Sequence, residues 1–149
     1  MINILHINSY YQQSHFYKNL YDRQIEDGLK ISVYVPVFSL TSTYKYGDFT
    51  LIDKCFNKYD RLLFHYKHSK ILHSIKQKYC FKEFDLIHAH SLFSNGFIAY
   101  KLYKEFNIPY IVAVRNTDVN VFFSKMVHLR KLGIEIMKNS KKIIFISPS

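Results

Sequence analysis

The sequence predicts an α/β fold, a Rossmann-like doubly wound parallel sheet with helices on both faces. Short apolar, β-branched runs alternate with longer stretches whose apolar residues recur at helical spacing, and parallel strands need such helical crossovers. Two polar clusters, His88-Ala89-His90 and Arg115-Asn116-Thr117-Asp118, fall where two of the runs end, which is where a parallel sheet binds ligands. A chain of 149 residues, 48% of them hydrophobic, is long enough for one domain with its own core. No repeat, low-complexity tract or flexible linker divides residues 1–149.

Residues 2–7 read as a buried first strand, interrupted by Asn3 and His6, and residues 8–14 as a polar loop at its C-terminal end. Ser14 can cap a helix running to Leu29, with Phe16, Leu20 and Gln24 spaced along its faces and Gly28 near its end. Residues 30–38, KISVYVPVF, are β-branched and aromatic, hence a second strand. Residues 39–54 have no clear period; a short strand is expected near 49–52. Residues 60–79 suffice for one helix or two, with Ile71, Leu72, Ile75 and Tyr79 as an apolar stripe. Residues 85–89 are the next strand and 95–106 a helix, capped by Ser94 and facing the sheet with Ile98, Leu102 and Phe106. Pro109 opens a strand over 110–114. Residues 123–139 read as one helix carrying Met126, Leu129, Gly133, Ile136 and Met137 on one side, and residues 142–146 as a last buried strand.

Composition narrows the function. A net charge of +10 and a pI near 9.5 favour anionic partners. The Lys and Arg residues are spread along the chain and no RNP-like or zinc-finger pattern is present, so nucleic acid is not expected. Cys55 and Cys80 form no CxxC, which argues against a disulfide scaffold or structural zinc and fits a reducing cytoplasm. The N-terminus lacks the pattern of a signal peptide, and no apolar run approaches the ~20 residues of a membrane span. Lys67, Lys70, Lys76 and Lys78 lie mainly off the apolar stripe of their helix. They form a solvated face or a cationic one for an anionic membrane surface. With four glycines and neither GxGxxG nor GxxxxGK[ST], dinucleotide and P-loop binding are excluded, since both need glycine where backbone approaches phosphate. GxSxG is missing too, against a hydrolase of that type.

His88 and His90 are two apart on an extended segment and therefore share a face. A metal would need a third ligand, and no HExxH or evident carboxylate supplies one, so no metal is expected. His88, inside the strand, is expected to be buried and hydrogen-bonded. His90, nearer the loop, is the candidate to accept a proton or bond a sugar hydroxyl. Arg115 and Asp118 could pair with each other, Asp118 could cap the next helix, or Arg115 could meet an anionic group and Asp118 a hydroxyl.

Asp85-Leu86-Ile87-His88-Ala89-His90, then Ile108-Pro109, then Arg115-Asn116-Thr117-Asp118 resemble a recurring pattern of glycosyltransferase family 4, D-x-I-H-A-H followed by I-P-x5-R/H-G-T/S-D. The segment KIIFISPS at 142–149 looks like the strand closing that family's N-terminal domain. Two features depart from it: Asn116 stands in the glycine position, and the first loop has no glycine. Asn can still take the left-handed conformation that glycine would supply. The resemblance implies the acceptor-side N-terminal domain of a retaining GT-B enzyme, with the donor-binding domain outside this chain. It implies transfer of a sugar from a nucleotide sugar to a sugar or lipid-linked acceptor, such as a cell-surface polysaccharide precursor. Location would be cytoplasmic, peripheral at the inner face of the plasma membrane, and the fragment alone would be inactive. His90 would be catalytic; Asn8, Ser9, Arg115, Asn116, Thr117 and Asp118 would bind substrate; no cofactor or metal is implied. The alternative is a stand-alone Rossmann- or flavodoxin-like module for an anionic ligand or a partner protein.

Overall fold

The structure, a computed structural model, describes residues 1–11, 15–40 and 47–146. Ser14, residues 41–46 and the terminal 147–149 lie outside these, and with them the expected Ser14 cap. Six strands, β1 (Asn3–Ile7), β2 (Lys30–Val37), β3 (Thr50–Lys54), β4 (Leu86–Ala89), β5 (Tyr110–Val114) and β6 (Lys142–Phe145), form one sheet in the order β3-β2-β1-β4-β5-β6. Every neighbouring pair is parallel. The strand order reverses between β1 and β4, and in a doubly wound sheet the crevice at such a reversal is the ligand position.

Four helices cover the sheet: α1 (Phe16–Glu26), α2 (Phe64–Lys78), α3 (Ser94–Phe106) and α4 (Arg130–Asn139). Alternation along the strands separates two cores. Leu5, Ile7, Ile87, Ala89, Tyr110 and Val112 pack with α2, α3 and α4. Ile4, Ile31, Val33 and Val35 pack with Tyr17 and Tyr21 of α1 on the opposite face. Helices thus lie on both faces, as expected; among the described residues α1 is the one helix on its side, with Tyr11 and Phe49 packed beside it. Ile111 and His88 on that side are only half-buried.

Several boundaries differ from the sequence reading. α1 buries Tyr17 and Tyr21, whereas Phe16 is 59% exposed, because the tyrosines are the residues turned onto β1 and β2. Gly28 ends that helix with φ 82°, its N–H bonded to the Ile25 carbonyl, while Leu29 N–H reaches Gln24, as in a glycine-terminated helix. Residues 60–79 divide into a 3-10 turn over Lys58–Leu62 and α2. Ser94 is not a cap but the first residue of α3. Phe106 is 40% exposed because its ring lies against Phe81 rather than the sheet. The expected helix over 123–139 is a wide helical turn over Asp118–Phe123, a 3-10 turn over Val127–Leu129, and then α4. A Cβ on Gly133 would meet Phe93 Cζ at 2.6 Å and Phe123 Cζ at 3.0 Å, so its lack of side chain lets α4 approach those rings. β6 is an edge strand and not a buried one: Lys142 and Phe145 are exposed.

On α2, Lys70 pairs with Asp60 at 2.8 Å and Lys76 with Glu105 at 3.0 Å, and Lys67 sits 5.0 Å over the Phe56 ring. Three of the four lysines of the expected cationic face are therefore engaged within the chain.

His68 lies on the buried side of α2, with Nδ1 2.7 Å from the Phe64 carbonyl and its ring against Phe64 and Phe97. Burial, then the charge of Lys67, lowers its pKa to about 4. The unfolded chain takes up this proton near pH 6.5, so the stabilisation is full above about pH 6.5 and is lost as pH falls toward about 4. The expected slope is up to about 1.4 kcal/mol per pH unit for this one group. Urea unfolding followed from about pH 7 to about pH 4.5 should show the loss, and His68→Leu should make the pH dependence shallower by up to that amount.

Candidate functional site

Three loops meet at the C-terminal edge of the sheet, after β1, β4 and β5. Asn8 leaves β1 fully buried. Its Nδ2 donates to Tyr21 Oη at 2.8 Å, and its Oδ1 accepts the Tyr10 N–H at 2.9 Å, an Asx turn that sets the loop's direction. Ser9 is exposed and donates its backbone N–H to Asn95 Oδ1 at 3.3 Å. Asn95 in turn donates its N–H to Ser91 Oγ at 3.1 Å, which satisfies part of the N-terminus of α3. Ser91 performs the task that the sequence reading assigned to Ser94.

Asp118 is 1% exposed. Its Oδ2 accepts backbone N–H groups from Leu92 at 3.0 Å and Arg115 at 2.9 Å, and its Oδ1 accepts one from Phe93 at 3.2 Å. The carboxylate therefore fastens the loop after β4 to the loop after β5, and it does not cap the helix that follows it. Burial pushes its pKa up, while these backbone donors and Arg115 pull it down. What Asp118 holds of Arg115 is the backbone. The guanidinium donates to Tyr17 Oη at 2.5 Å and lies 4.2 Å over the Tyr10 ring, a cation–π arrangement. Asn116 and Thr117 are exposed beside it. Burial, then the charge of Asp118, raises the Tyr10 pKa, while Arg115 and a hydrogen bond with Thr117 oppose the rise. Asn116 does not use the left-handed conformation: among the described residues Asn107 is the non-glycine with positive φ, and Asn116 begins a helical turn.

His88 of β4 and His90, just beyond its end, exchange the environments expected of them. His90 is 2% exposed, with Nε2 2.9 Å from His6 Nδ1 and the ring edges of Tyr17 and Tyr21 packed on it. His88 is half-exposed and stacked on His90 with ring centres 4.1 Å apart. The cause is α1, whose tyrosines cover His90 but do not extend over His88. Burial is the largest cause holding all three imidazoles below their usual pKa, His88 at about 4 and the other two well below the normal value. His88 adds to this for His6 and His90, as do His6 and Arg115 for His90, while Gln24 opposes it at His6. All three are thus neutral near neutral pH. The absence of a third partner for His88 and His90, argued from sequence, does not hold in the fold. His6 is the register partner of His88 on the adjacent strand, and one ring nitrogen from each of the three lies within 4.8 Å of the others.

The structure therefore gathers Ser9, Arg115, Asn116 and Thr117 at an accessible rim and places Asn8, His90 and Asp118 beneath it. Sequence reasoning missed His6, Tyr10, Tyr17, Gln24 and Asn95. Only His6 left a trace, as a polar break in an apolar strand. A separate open concavity lies between β3 and α2, lined by Lys54, Asn57, Lys70, His73 and Gln77 among others, away from this rim.

No family model matches the chain, and no curated protein matches it. Among solved structures it is similar to UGT2 of Phytolacca americana. The structure complexed with UDP-2-fluoro-glucose and pterostilbene matches at 15% identity and a TM-score of 0.47, over 89% of this chain. The apo structure matches at 16% and 0.48, over 91%. The chain spans about a third of the length of these structures, 33% and 34%.

Removing the Asp118 carboxylate leaves three buried N–H groups without their acceptor. Asp118→Ala should lower stability by about 2–4 kcal/mol in urea unfolding, and Asp118→Asn, which keeps one acceptor oxygen, by about half as much.

Proposed function

We propose that this chain is the acceptor-side half of a glycosyltransferase, transferring a sugar from a nucleotide sugar with retention at the anomeric carbon. The observation that carries the reading is the rim at the β1/β4 reversal. There Arg115 stacks on Tyr10 beside the exposed Ser9, Asn116 and Thr117. A fixed cation on an aromatic face, ringed by hydroxyl and amide groups, suits an anionic or phosphorylated sugar. Of the motif residues of the family 4 resemblance, His90 and Arg115 to Asp118 fall on the same edge, whereas Asp85, Ile108 and Pro109 precede β4 and β5 at the opposite one.

In this reading Arg115 meets the negative group of the acceptor, Asn116 and Thr117 meet its hydroxyls, and Asn8 and Asp118 hold the two loops in place. His90 corresponds to the histidine nearest the reacting sugar; to touch a ligand, it needs Tyr17 to leave its edge-on seat. The donor nucleotide would bind a second domain outside these residues, and the 149 residues alone would transfer nothing. No helix among the described residues is long and apolar enough to cross a membrane, and the net charge of +10 suits a cytoplasmic protein working at an anionic membrane face on a lipid-linked acceptor.

The test is a backbone-amide NMR titration of the chain with glucose 1-phosphate and with UDP-glucose. The sugar phosphate should shift residues 8–10 and 115–118, and Arg115→Ala should weaken that binding roughly 10–100-fold, the value of a hydrogen bond to a charged group. Shifts confined to the β3–α2 concavity, or affinity unchanged in Arg115→Ala, would sink the assignment of the rim. Reading the coding region beyond Ser149 separates the enzyme from the stand-alone module: a further domain of typical length, about 100–200 residues, with paired glutamates supports the enzyme, and a stop supports the module.

A further inference from the structure

We propose that His6, His88 and His90 form a binding site for a first-row transition-metal ion, Zn2+ by ligand chemistry. The site shares His90 with the sugar-transfer reading, but it is argued from the geometry of the three rings and does not rest on that reading. It follows from register. His6 and His88 are directly opposed on the parallel strands β1 and β4, and His90, two residues on, returns to the same face. One ring nitrogen from each lies within 4.8 Å of the other two. Three neutral imidazoles with no carboxylate select Zn2+, Co2+, Ni2+ or Cu2+ over Mg2+ and Ca2+.

The His6–His90 pair needs little adjustment, whereas His88, stacked on His90 with ring centres 4.1 Å apart, must turn its ring to aim a nitrogen at the same ion. Zinc–imidazole bonds of about 2.0–2.1 Å place two tetrahedral ligand nitrogens about 3.4 Å apart. His6 Nδ1 and His90 Nε2 are 2.9 Å apart in the structure, so an opening of about 0.5 Å admits the ion between them. The protons also balance. Each neutral imidazole keeps one N–H; a single hydrogen lies between His6 Nδ1 and His90 Nε2, and coordination through both nitrogens moves that one hydrogen to the other nitrogen of its own ring, without release.

The second observation concerns His6 Nε2, the nitrogen that carries the hydrogen when Nδ1 binds the ion. His6 Nε2 and Gln24 Oε1 are both buried and neither makes a well-formed hydrogen bond, although the Gln24 side chain is near enough to His6 to raise its pKa against burial. A metal-bound histidine ordinarily donates its other N–H to a carbonyl or carboxylate oxygen. Coordination at Nδ1 fixes the tautomer that gives both orphaned atoms a partner. His88, half-buried beside the half-buried Leu86 and Ile111, is the ligand nearest solvent, since His6 and His90 are buried.

The chain, freed of metal with a chelator, is titrated with Co2+. Intense visible absorption saturating at one equivalent and displaced by Zn2+ is expected. His88→Ala should abolish it, and Gln24→Leu, which spares the ligands, should weaken Co2+ binding about 10–100-fold. X-ray absorption of the wild-type zinc complex should count three imidazole nitrogens at about 2.0–2.1 Å, which decides the matter even if His88→Ala does not fold. No absorption at one equivalent, absorption that survives in His88→Ala, unchanged affinity in Gln24→Leu, or fewer than three imidazoles would overturn the proposal.

Discussion

The parallel register of β1 against β4 is the constraint on which the rest depends. β1 is the central strand and all five of its residues are buried, so it cannot slip without turning its apolar set to the wrong face. With Ile4 opposite Leu86 and His6 opposite His88, the N–H of His90 reaches the Ile7 carbonyl, and that of Asn8 reaches Tyr34 on β2. The crevice, the meeting of the first two loops and the histidine cluster are consequences of this one alignment. The strand order places the reversal there, but the register decides which side chains share it.

Asp118 extends that alignment to the third loop. Helix N-termini leave backbone donors unpaired, and the loop into α3 is too buried for water to serve them all. Ser91 and the Asp118 carboxylate answer that need from two directions. Because Asp118 belongs to the loop after β5, the same bonds that start α3 also fix where Arg115 leaves its strand. The guanidinium, freed from pairing with a carboxylate, goes instead to Tyr17 and Tyr10. Its position at the rim is therefore tied to α1 as well as to the sheet, and three separate segments must be in place before the rim exists.

The fold was legible because its signals are local. The run 110–114 is apolar throughout and 33–38 likewise, as strands covered on both faces must be, and Gly28 marks a helix end by its conformation alone. The errors came where a tertiary neighbour overruled a local rule. Ser94 looks like a cap, but Asp118 lies 24 positions away in sequence. Phe16 looks like a core residue, but the rotation of α1 presents Tyr17 and Tyr21. His90 looks more open than His88 because it is nearer the loop, yet α1 covers the loop end first. The third histidine was unreadable for the same reason: His6 and His88 are separated by most of the chain, and nothing in either segment announces their register.

That histidine seam is an unusual way to build the middle of a sheet. Burying an amide or imidazole without its hydrogen bonds costs about 1–3 kcal/mol each, and the seam leaves His6 Nε2 and Gln24 Oε1 in that condition. Apolar residues at these positions would pack beside Ile4, Ile31 and Val33 at no such cost. Arg115 and Tyr17 lie at one end of the seam and the half-exposed His88 at the other, so it runs from the rim to the uncovered part of the sheet. The His6–His90 bond joins the buried strand to the ring on which Tyr17 rests. Tyr17 also carries Arg115. The buried cluster and the exposed rim therefore share one residue, Tyr17, whose ring packs edge-on against His90 and whose hydroxyl accepts from Arg115.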